Sequence, residues 1–356
     1  MTRSSGSAGD DRLESGPTEI VARVVLAHGG GGELMNQLIH DHLLTPLNNE
    51  LLSPLTDGAI LPRPKGQLVF TTDSYVVSPL EFPGGDIGKL AICGTVNDIA
   101  VAGAKPAAMS MGLIIQEGLE ISLLGRLLSS AGQAAGQAGV EVVTGDTKVV
   151  QRSACDGLMI NTAGVGWVLA EARLGFEHVR EGDCVLLSGA LGEHGLSVMS
   201  LREHLSFTAD LVSDCAPIGE LTTALIAELG EDVHFLRDPT RGGLAATLAE
   251  LSSSAGRDIE IREDAIPVNR TAEAAAEMLG LDLLTVANEG KLVAVVSRDS
   301  AERAVKILAG HEIASRAAVI GTVGPRADAA VVEMVTRVGG RRIVQMPYGE
   351  ELPRIC

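Results

Sequence analysis

Short runs of branched apolar residues alternate with longer helix-forming stretches along most of the chain, and this alternation limits the folds available to it. The strand-like runs of the first series are 68–72, 108–115, 139–144 and 158–166. The helix-like stretches of the same series are 86–103 and 120–138. A repeated exchange between strand and helix periodicity predicts helices layered on sheets, so we expect an α/β (α+β) protein.

A second series of the same kind follows the polar connector at 177–183, and the 356 residues are enough for two domains. Its strand-like runs are 184–188, 233–237, 291–297 and 317–323. Its helix-like stretches are 195–204, 217–229, 243–255, 271–279 and 299–309. We therefore predict an N-terminal domain at 20–172 and a C-terminal α/β domain at 173–330. Residues 1–19 are expected to be a disordered tail, and the proline-containing residues 331–356 an extended flexible tail.

The charge and the aromatic content exclude several classes of partner. The formal net charge is -18 and aromatic residues make up 2% of the chain. Both values argue against nucleic acid, because phosphate backbones require clustered Lys and Arg and single strands require stacking surfaces. No run of about 18 apolar residues exists, so no membrane partner is expected. The N-terminal residues lack the apolar segment of a signal peptide, which predicts a cytoplasmic protein.

Four aspartates stand inside or directly after apolar runs. They are Asp73 in LVFTTDS, Asp98 beside Asn97 in LAICGTVNDIAVAGA, Asp146 in VEVVTGDTKVV and Asp238 in VHFLRDPTRGG. A carboxylate buried without a partner is costly, so a compensating cation is expected nearby. Mg²⁺ takes oxygen ligands and bridges to nucleotide phosphates. With Lys148, the set predicts a nucleotide and metal site, although each aspartate alone also fits a helix cap or a turn.

A glycine-rich segment, HGGGGE, follows a short strand-like run at 24–27. It lacks the GK[ST] ending of a Walker loop, so it is weak evidence for phosphate binding by itself. We predict a mobile phosphate cover in which Gly30 and Gly31 offer backbone N–H groups, with a plain flexible turn as the alternative. His28 fits a ligand and a surface residue equally well.

The chain ends in a cysteine, Cys356, within EELPRIC. Chain ends are normally exposed, so this residue is either a chance residue on a frayed end or a reactive thiol on a movable arm. The five cysteines form no CxxC pair, which argues against a disulfide framework or a zinc site. In ANEGK, Glu289 fits either a carboxylate satisfied by the backbone or a general base.

Taken together, HGGGGELMNQLI, TTDSYVVSPLEFPGGDIGKLAICGTVNDIAVAGAKP, VVTGDTKVV, GDCVLLSGALGEHGLSVMS, RDPTRGGLA, NEGK and PRIC resemble the HypE family of hydrogenase maturation factors. The resemblance runs from about residue 25 to the end. That family belongs to the superfamily of aminoimidazole ribonucleotide synthetase and selenophosphate synthetase. The resemblance implies that the N-terminal domain binds ATP and forms a homodimer through its sheet, beside a C-terminal α/β domain.

The resemblance also implies roles for individual residues. Asp73, Asp98, Asp146 and Asp238 would hold Mg²⁺, with Asn97, Lys148 and the glycine turn at the ATP phosphates. Cys356 would receive a carbamoyl group from HypF and carry its ATP-dependent dehydration to a thiocyanate. Glu289 is the candidate base, with Lys148 as the alternative. The cyanide would then pass to the HypC–HypD complex for the nickel-iron centre.

Two other interpretations stay open from the sequence. The first is another ATP-dependent synthetase of the same superfamily, which would share the aspartates but not the terminal cysteine. The second is a carrier without catalytic activity, which would merely present Cys356 to other maturation proteins.

Overall fold

The two series of strands form two separate sheets. The computed structural model describes residues 22–30, 32–56, 58–62, 66–203, 211–349 and 354–356. The predicted tail at 1–19 and Gly31 lie outside the described residues. Among those described, no helix is long and apolar enough to cross a membrane.

The first sheet contains four long strands, and a small hairpin lies beside it. The strands of this half are Leu68–Tyr75 (β1), Glu81–Phe82 (β2), Gly85–Asp86 (β3), Ala104–Gln116 (β4), Val142–Val150 (β5) and Leu158–Val168 (β6). The sheet order is β1-β6-β4-β5, and β2 pairs with β3. Only β4 and β5 run parallel, which requires the helical crossover that the sequence places between them.

One face of this sheet is covered by a helix that is buried almost all round. The helices of this half are Glu33–Leu38 (α1), Thr45–Leu47 (α2), Ile87–Val101 (α3) and Ile121–Ala138 (α4). Helix α3 lies between the sheet and α4, which explains its nearly continuous apolar sequence. Its start is fixed by Asp86, whose side chain accepts hydrogen bonds from the N–H groups of Gly88 and Lys89.

The second sheet has seven strands. They are Cys184–Leu187 (β7), Val233–Arg237 (β8), Arg257–Arg262 (β9), Val293–Val296 (β10), Ala318–Arg326 (β11), Val332–Val335 (β12) and Arg341–Val344 (β13). Their order is β13-β12-β9-β11-β7-β10-β8. The accompanying helices are Glu193–Arg202 (α5), Gly219–Leu229 (α6), Gly243–Ala255 (α7), Arg270–Leu279 (α8) and Ala301–Ala309 (α9). Two apolar clusters lie on the two faces of this sheet.

Two local predictions were wrong. The run at 24–27 is not a strand, because Leu26–Gly29 is a 3-10 helix and the N–H of Val25 is bound by His28 Nδ1 over 2.9 Å. Residues 332–344 are not an extended tail, because they form the β12–β13 hairpin. Its turn is closed where the N–H of Thr336 donates to the carbonyl of Gly340 over 2.8 Å, and β12 pairs in parallel with β9. Pro347 and Pro353 follow this hairpin in the sequence, so they do not prevent its strands from forming.

The contact between α3 and α4 gives a first prediction. A methyl group added at Gly88 would lie 2.0 Å from the carbonyl oxygen of Leu127, whereas one at Gly136 in α4 would meet nothing within 4 Å. We expect Gly88→Ala to lower the free energy of unfolding by about 1–3 kcal/mol. Gly136→Ala, the matched control, should be neutral or stabilising, because it only removes backbone freedom. Urea unfolding followed by circular dichroism compares the two; equal midpoints would contradict the close packing.

Candidate functional site

The last three residues of the chain lie against the segment that follows β1. The N–H of Val76 donates to the carbonyl of Cys356 over 3.2 Å, and the N–H of Ser78 donates to that of Arg354 over 3.2 Å. Ile355 is only 5% exposed. The side chain of Arg354 is held by the carbonyl of Val76 and by an ion pair with Asp156. The C-terminus is therefore docked in the fold, with the terminal thiol inside.

The thiol of Cys356 meets an arginine from the glycine-rich turn after β8. Arg241 Nε donates to the Sγ atom over 3.3 Å, and the same guanidinium group lies 3.7 Å from Asp73 Oδ1. Burial, followed by the charge of Glu289, raises the pKa of Cys356 to about 11, although Arg241 opposes this shift. Arg241 was not predicted as a site residue from the sequence. Its position three residues after Asp238 in RDPTRGG was the available signal.

Glu289 lies close enough to this thiol for their charges to interact, and it is almost fully buried. Within the described residues, its Oε1 atom has no hydrogen-bond partner. Burial and then the neighbouring carboxylates Asp238, Asp214 and Asp73 raise the pKa of Glu289 well above its usual range. A buried carboxyl group with an unpaired oxygen beside a thiol is typical of a functional site rather than of packing.

Three of the four predicted aspartates lie on the same side as Cys356. Asp98 Oδ2 accepts the hydroxyl proton of Thr71 over 2.9 Å, and burial raises the pKa of Asp98. Burial, followed by the charge of Asp98, raises the pKa of Asp238 to about 7. Asp73 adds to the negative charge felt by both groups. Among the described residues, no three His, Cys, Asp or Glu side chains are already gathered closely enough to hold a metal ion.

The fourth aspartate and the predicted lysine project from the other face of the first sheet. The cross-strand row through Asp73 contains Thr162, Met111 and Gly145. Asp146 belongs to the next row, and neighbouring rows point to opposite faces. Lys148 Nζ lies 3.3 Å from Asp146 Oδ1, and both side chains are about two-thirds exposed. Within one chain, the structure does not bring Asp146 and Lys148 to Cys356.

The glycine-rich turn lies next to the strand that carries this pair. A side chain at Gly29 would collide with the backbone of Val149 in β5, so the close approach requires glycine. The N–H of Gly30 donates to the carbonyl of Ala27 over 3.2 Å. In this arrangement the N–H of Gly30 is used inside the turn, and phosphate contact by Gly30 stays a prediction.

The side chain of Asn97 contacts the backbone of the second half of the chain, and its contact with ATP stays a prediction. Its Nδ2 atom donates to the carbonyls of Ala216 and Glu289 over 3.1 and 3.2 Å, and its Oδ1 accepts the N–H of Ile218 over 2.8 Å. The amide is fully occupied by backbone groups of the second half of the chain. Asn97 therefore fixes the backbone of Glu289 from helix α3 and joins the two domains.

A buried ion network holds the other side of Glu289. Asp214 accepts the N–H of Glu289 over 3.2 Å, and Lys291 Nζ lies 3.4 Å from Asp214 and 3.2 Å from Glu193. Burial acts to lower the pKa of Lys291, but the two carboxylates outweigh it and the pKa is raised. This network was not predicted from the sequence, although Lys291 belongs to the NEGK segment that contains Glu289.

The raised pKa of Asp238 predicts how stability depends on pH. The unfolded carboxyl has a pKa of about 4, so between about pH 4 and pH 7 the folded state binds the proton and the unfolded state does not. Stability should therefore fall as the pH rises through this window. Asp238→Asn should flatten that fall, whereas the exposed Asp328→Asn should leave it unchanged. Urea midpoints across the window provide the measurement; identical curves for both variants would contradict the burial argument.

The chain matches the family models for AIR synthase related protein, N-terminal domain, at residues 55–168 and AIR synthase related protein, C-terminal domain, at residues 180–333. A protein of Rhizobium leguminosarum bv. viciae named carbamoyl dehydratase HypE is 47% identical over 334 residues, which is 94% of this chain and 95% of that protein. The corresponding Escherichia coli (strain K12) protein is 44% identical over 338 residues, 94% of this chain and 99% of that one.

Solved structures of HypE proteins also match this chain. A structure of hydrogenase maturation protein HypE in complex with ATP matches with a TM-score of 0.89 and 43% identity, over 93% of this chain and 99% of that one. A structure of a HypE–HypF complex matches with a TM-score of 0.76 and 43% identity, over 89% of this chain and all of the other.

Proposed function

The chain belongs to the HypE family of hydrogenase maturation factors, and we propose on that basis that it is an ATP-dependent carbamoyl dehydratase that acts on its own terminal cysteine. This membership confirms the resemblance seen in the sequence, and the two family models confirm the two-domain α/β fold. The substrate is an S-carboxamide on Cys356, the product is an S-cyanate, and the cyanide serves the nickel-iron centre of a hydrogenase.

One observation supports this proposal most directly. The docked thiol of Cys356 accepts a hydrogen bond from Arg241. Glu289, whose Oε1 atom has no hydrogen-bond partner among the described residues, lies near enough for its charge to add to the burial that raises the pKa of this thiol. A carrier without catalytic activity has no need to bury its cargo residue beside an acid with a raised pKa. Another synthetase of the superfamily would have no use for a docked C-terminal sulfur.

The reaction balances with these groups. The carboxamide loses its oxygen, which leaves as part of inorganic phosphate after ATP has supplied a phosphoryl group to it. The nitrogen loses two protons and the carbon–nitrogen bond becomes a triple bond. Glu289, when ionised, accepts one proton from that nitrogen, and the other leaves with the phosphate as hydrogen phosphate. Burial raises the pKa of Glu289, which makes its carboxylate a stronger base. Because Lys148 projects from the opposite sheet face of the same chain, the geometry favours Glu289 over Lys148 as the base.

Asp73, Asp98 and Asp238 supply the oxygen ligands that a divalent cation takes, although in the described residues they are not gathered around one point. Burial raises the pKa of Asp98 and of Asp238, the charge of Asp73 adds to both shifts, and Arg237 opposes them. Mutual repulsion of this kind is relieved by a hard cation with oxygen ligands. We propose that these three carboxylates hold Mg²⁺, which supplies charge neutralisation for the nucleotide phosphates. Asp146 stays a proposed fourth ligand.

The partners follow from the chemistry of the cargo. A carbamoyl group must be delivered to Cys356, and we propose HypF as its donor, since a relative of this chain has been solved in a HypE–HypF complex. The cyanide must then be passed on, for which we propose the HypC–HypD complex. Both transfers require the docked terminus to leave the site.

The uncovered face of the first sheet supports a proposed homodimer. Phe70, Leu68 and Ile114 lie on this face with side chains that are 66%, 54% and 41% exposed. Asp146 and Lys148 share the face. A second copy packed there would cover the apolar side chains and place its own residues beside this pair.

Charge introduced at this face should separate the two copies. Phe70→Asp should weaken self-association by at least ~10-fold, since aromatic side chains at interface centres contribute most of the binding energy. Val338→Asp is the matched control, because Val338 is 94% exposed in the turn of the β12–β13 hairpin. Light scattering over a dilution series would measure both; a Phe70 variant that stays dimeric would rule out this face.

Intact-protein mass spectrometry tests the activity itself. Incubation with HypF, carbamoyl phosphate and ATP should add a carbamoyl group to the chain and then remove the mass of one water. Cys356→Ala should show neither change while still binding ATP. A Cys356→Ala chain that gained either product would show that another residue is the acceptor.

Replacement of the proposed base should affect one step. Glu289→Gln should slow dehydration by about 10²–10⁴-fold, the usual contribution of a general base, without preventing carbamoyl loading. Glu302→Gln, at an exposed carboxylate of the second domain, is the control. Mass spectrometry of quenched samples gives both rates and calorimetry gives the affinity for ATP. If dehydration proceeds normally in the Gln variant, Glu289 is not the base.

A further inference from the structure

The carbonyl group next to the acceptor cysteine is held by a buried histidine that the proposed chemistry does not use. His194 Nε2 lies 2.6 Å from the carbonyl oxygen of Ile355, and the His194 side chain is fully buried. A carbonyl oxygen only accepts hydrogen bonds, so Nε2 carries the proton and donates it. The bond joins the first turn of α5, in the second domain, to the residue that precedes Cys356.

The remainder of the imidazole ring is fixed by other contacts. Its Nδ1 atom lies 2.8 Å from Ser213 Oγ, and this hydroxyl oxygen also accepts the N–H of Cys215 over 3.1 Å. The ring of Phe82 packs edge-on against it, with centroids 5.3 Å apart at 83°. Burial lowers the pKa of His194, which keeps the ring neutral. Nδ1 thus accepts the hydroxyl proton of Ser213, and Nε2–H points at the carbonyl oxygen of Ile355.

We propose that His194 is a positioning residue that holds the terminal thiol in the site and sets how long the C-terminus stays docked. The inference rests on the proposed function, in which Cys356 must leave to be loaded and must return to be dehydrated. It adds a residue that controls the balance between the docked and the undocked C-terminus.

The other contacts to the C-terminus are less selective. Val76 and Ser78 contribute backbone groups, which any sequence would offer there. The ion pair between Arg354 and Asp156 is partly exposed and therefore screened by water. Arg202 also donates to the carbonyl of Arg354, two residues before the thiol. The bond from His194 is the fully buried one next to Cys356, and departure of the terminus leaves its N–H without that acceptor.

A weaker hydrogen bond from His194 should slow dehydration without slowing the loading of Cys356. The terminus would be undocked more often, so HypF would load it at least as fast as before. The loaded residue would occupy the site for less time, so dehydration would slow. A general loss of folding would slow both steps, which makes the two causes distinguishable.

Two substitutions separate the two ring nitrogens. His194→Asn keeps a polar atom near the position of Nδ1 but cannot reach Ile355, whereas His194→Gln places an amide N–H near the position of Nε2. The readout is alkylation of Cys356 by iodoacetamide. The other four cysteines are buried, and the docked thiol is itself protected by burial and by its raised pKa. The probe therefore reports the undocked fraction.

We expect alkylation about tenfold faster in the Asn variant, the effect of losing one buried hydrogen bond, and a rate near that of the unchanged chain in the Gln variant. The partly exposed His178→Asn should have no effect. Single-turnover mass spectrometry should then show slower dehydration and undiminished loading in the Asn variant. Equal alkylation rates in all variants, or equally fast rates in Asn and Gln, would overturn the proposal.

A second measurement does not depend on the stability of a core variant. In a chain labelled with ¹⁵N-histidine, removal of residues 355–356 should shift the Nε2–H resonance of His194, because its acceptor is gone. An unchanged resonance would also overturn the proposal. Alkylation and this spectrum need neither ATP nor HypF. The proposed role of His194 and the proposed activity can therefore fail separately. A terminus that docks through His194 but is not dehydrated would contradict the proposed function alone.

Discussion

The arrangement depends on a main-chain contact: the last three residues extend beside the backbone that follows β1, where Val76 and Ser78 donate to their carbonyl groups. This pairing carries a cysteine into a region that contains an acid with an unpaired oxygen and an arginine. A thiol and a carboxylic acid can be buried together when both are protonated, since neither then brings a full charge out of water. The raised pKa values of Cys356 and Glu289 describe that state.

Neither half of the chain contains the whole site. The first half contributes Asp73, Asp98 and the docking segment, and the second contributes Glu289, Asp238 and Arg241. Asn97 is the link, because it lies on a helix of the first half and binds the backbone of Glu289. A relative shift of the two domains would therefore move Glu289 away from the thiol. This explains why a polar amide sits in a helix that is otherwise apolar.

Much of this could be predicted from the sequence, but only where a local pattern sufficed. Most strand and helix positions followed from periodicity, although β9 was not predicted. Asp73, Asp98 and Asp238 were singled out because a charged residue beside apolar ones can be recognised from the sequence alone. The sheet face of Asp146 was not predictable, since it depends on strand register. Arg241 and the Asp214–Lys291 pair were missed because ordinary surface ions look the same in a sequence. The β12–β13 hairpin was hidden by the expectation that prolines 347 and 353 govern the whole segment.

That hairpin limits the C-terminal arm. With Val344 anchored in the second sheet, only residues 345–356 can move, and a fully extended chain of this length spans about 40 Å. Under the proposed function, each partner must place its reactive centre within this radius of the β13 edge. A single thiol holds one cargo at a time, so delivery and collection would have to alternate. That alternation would follow from one thiol on a short tether, without any signal passing between the partners.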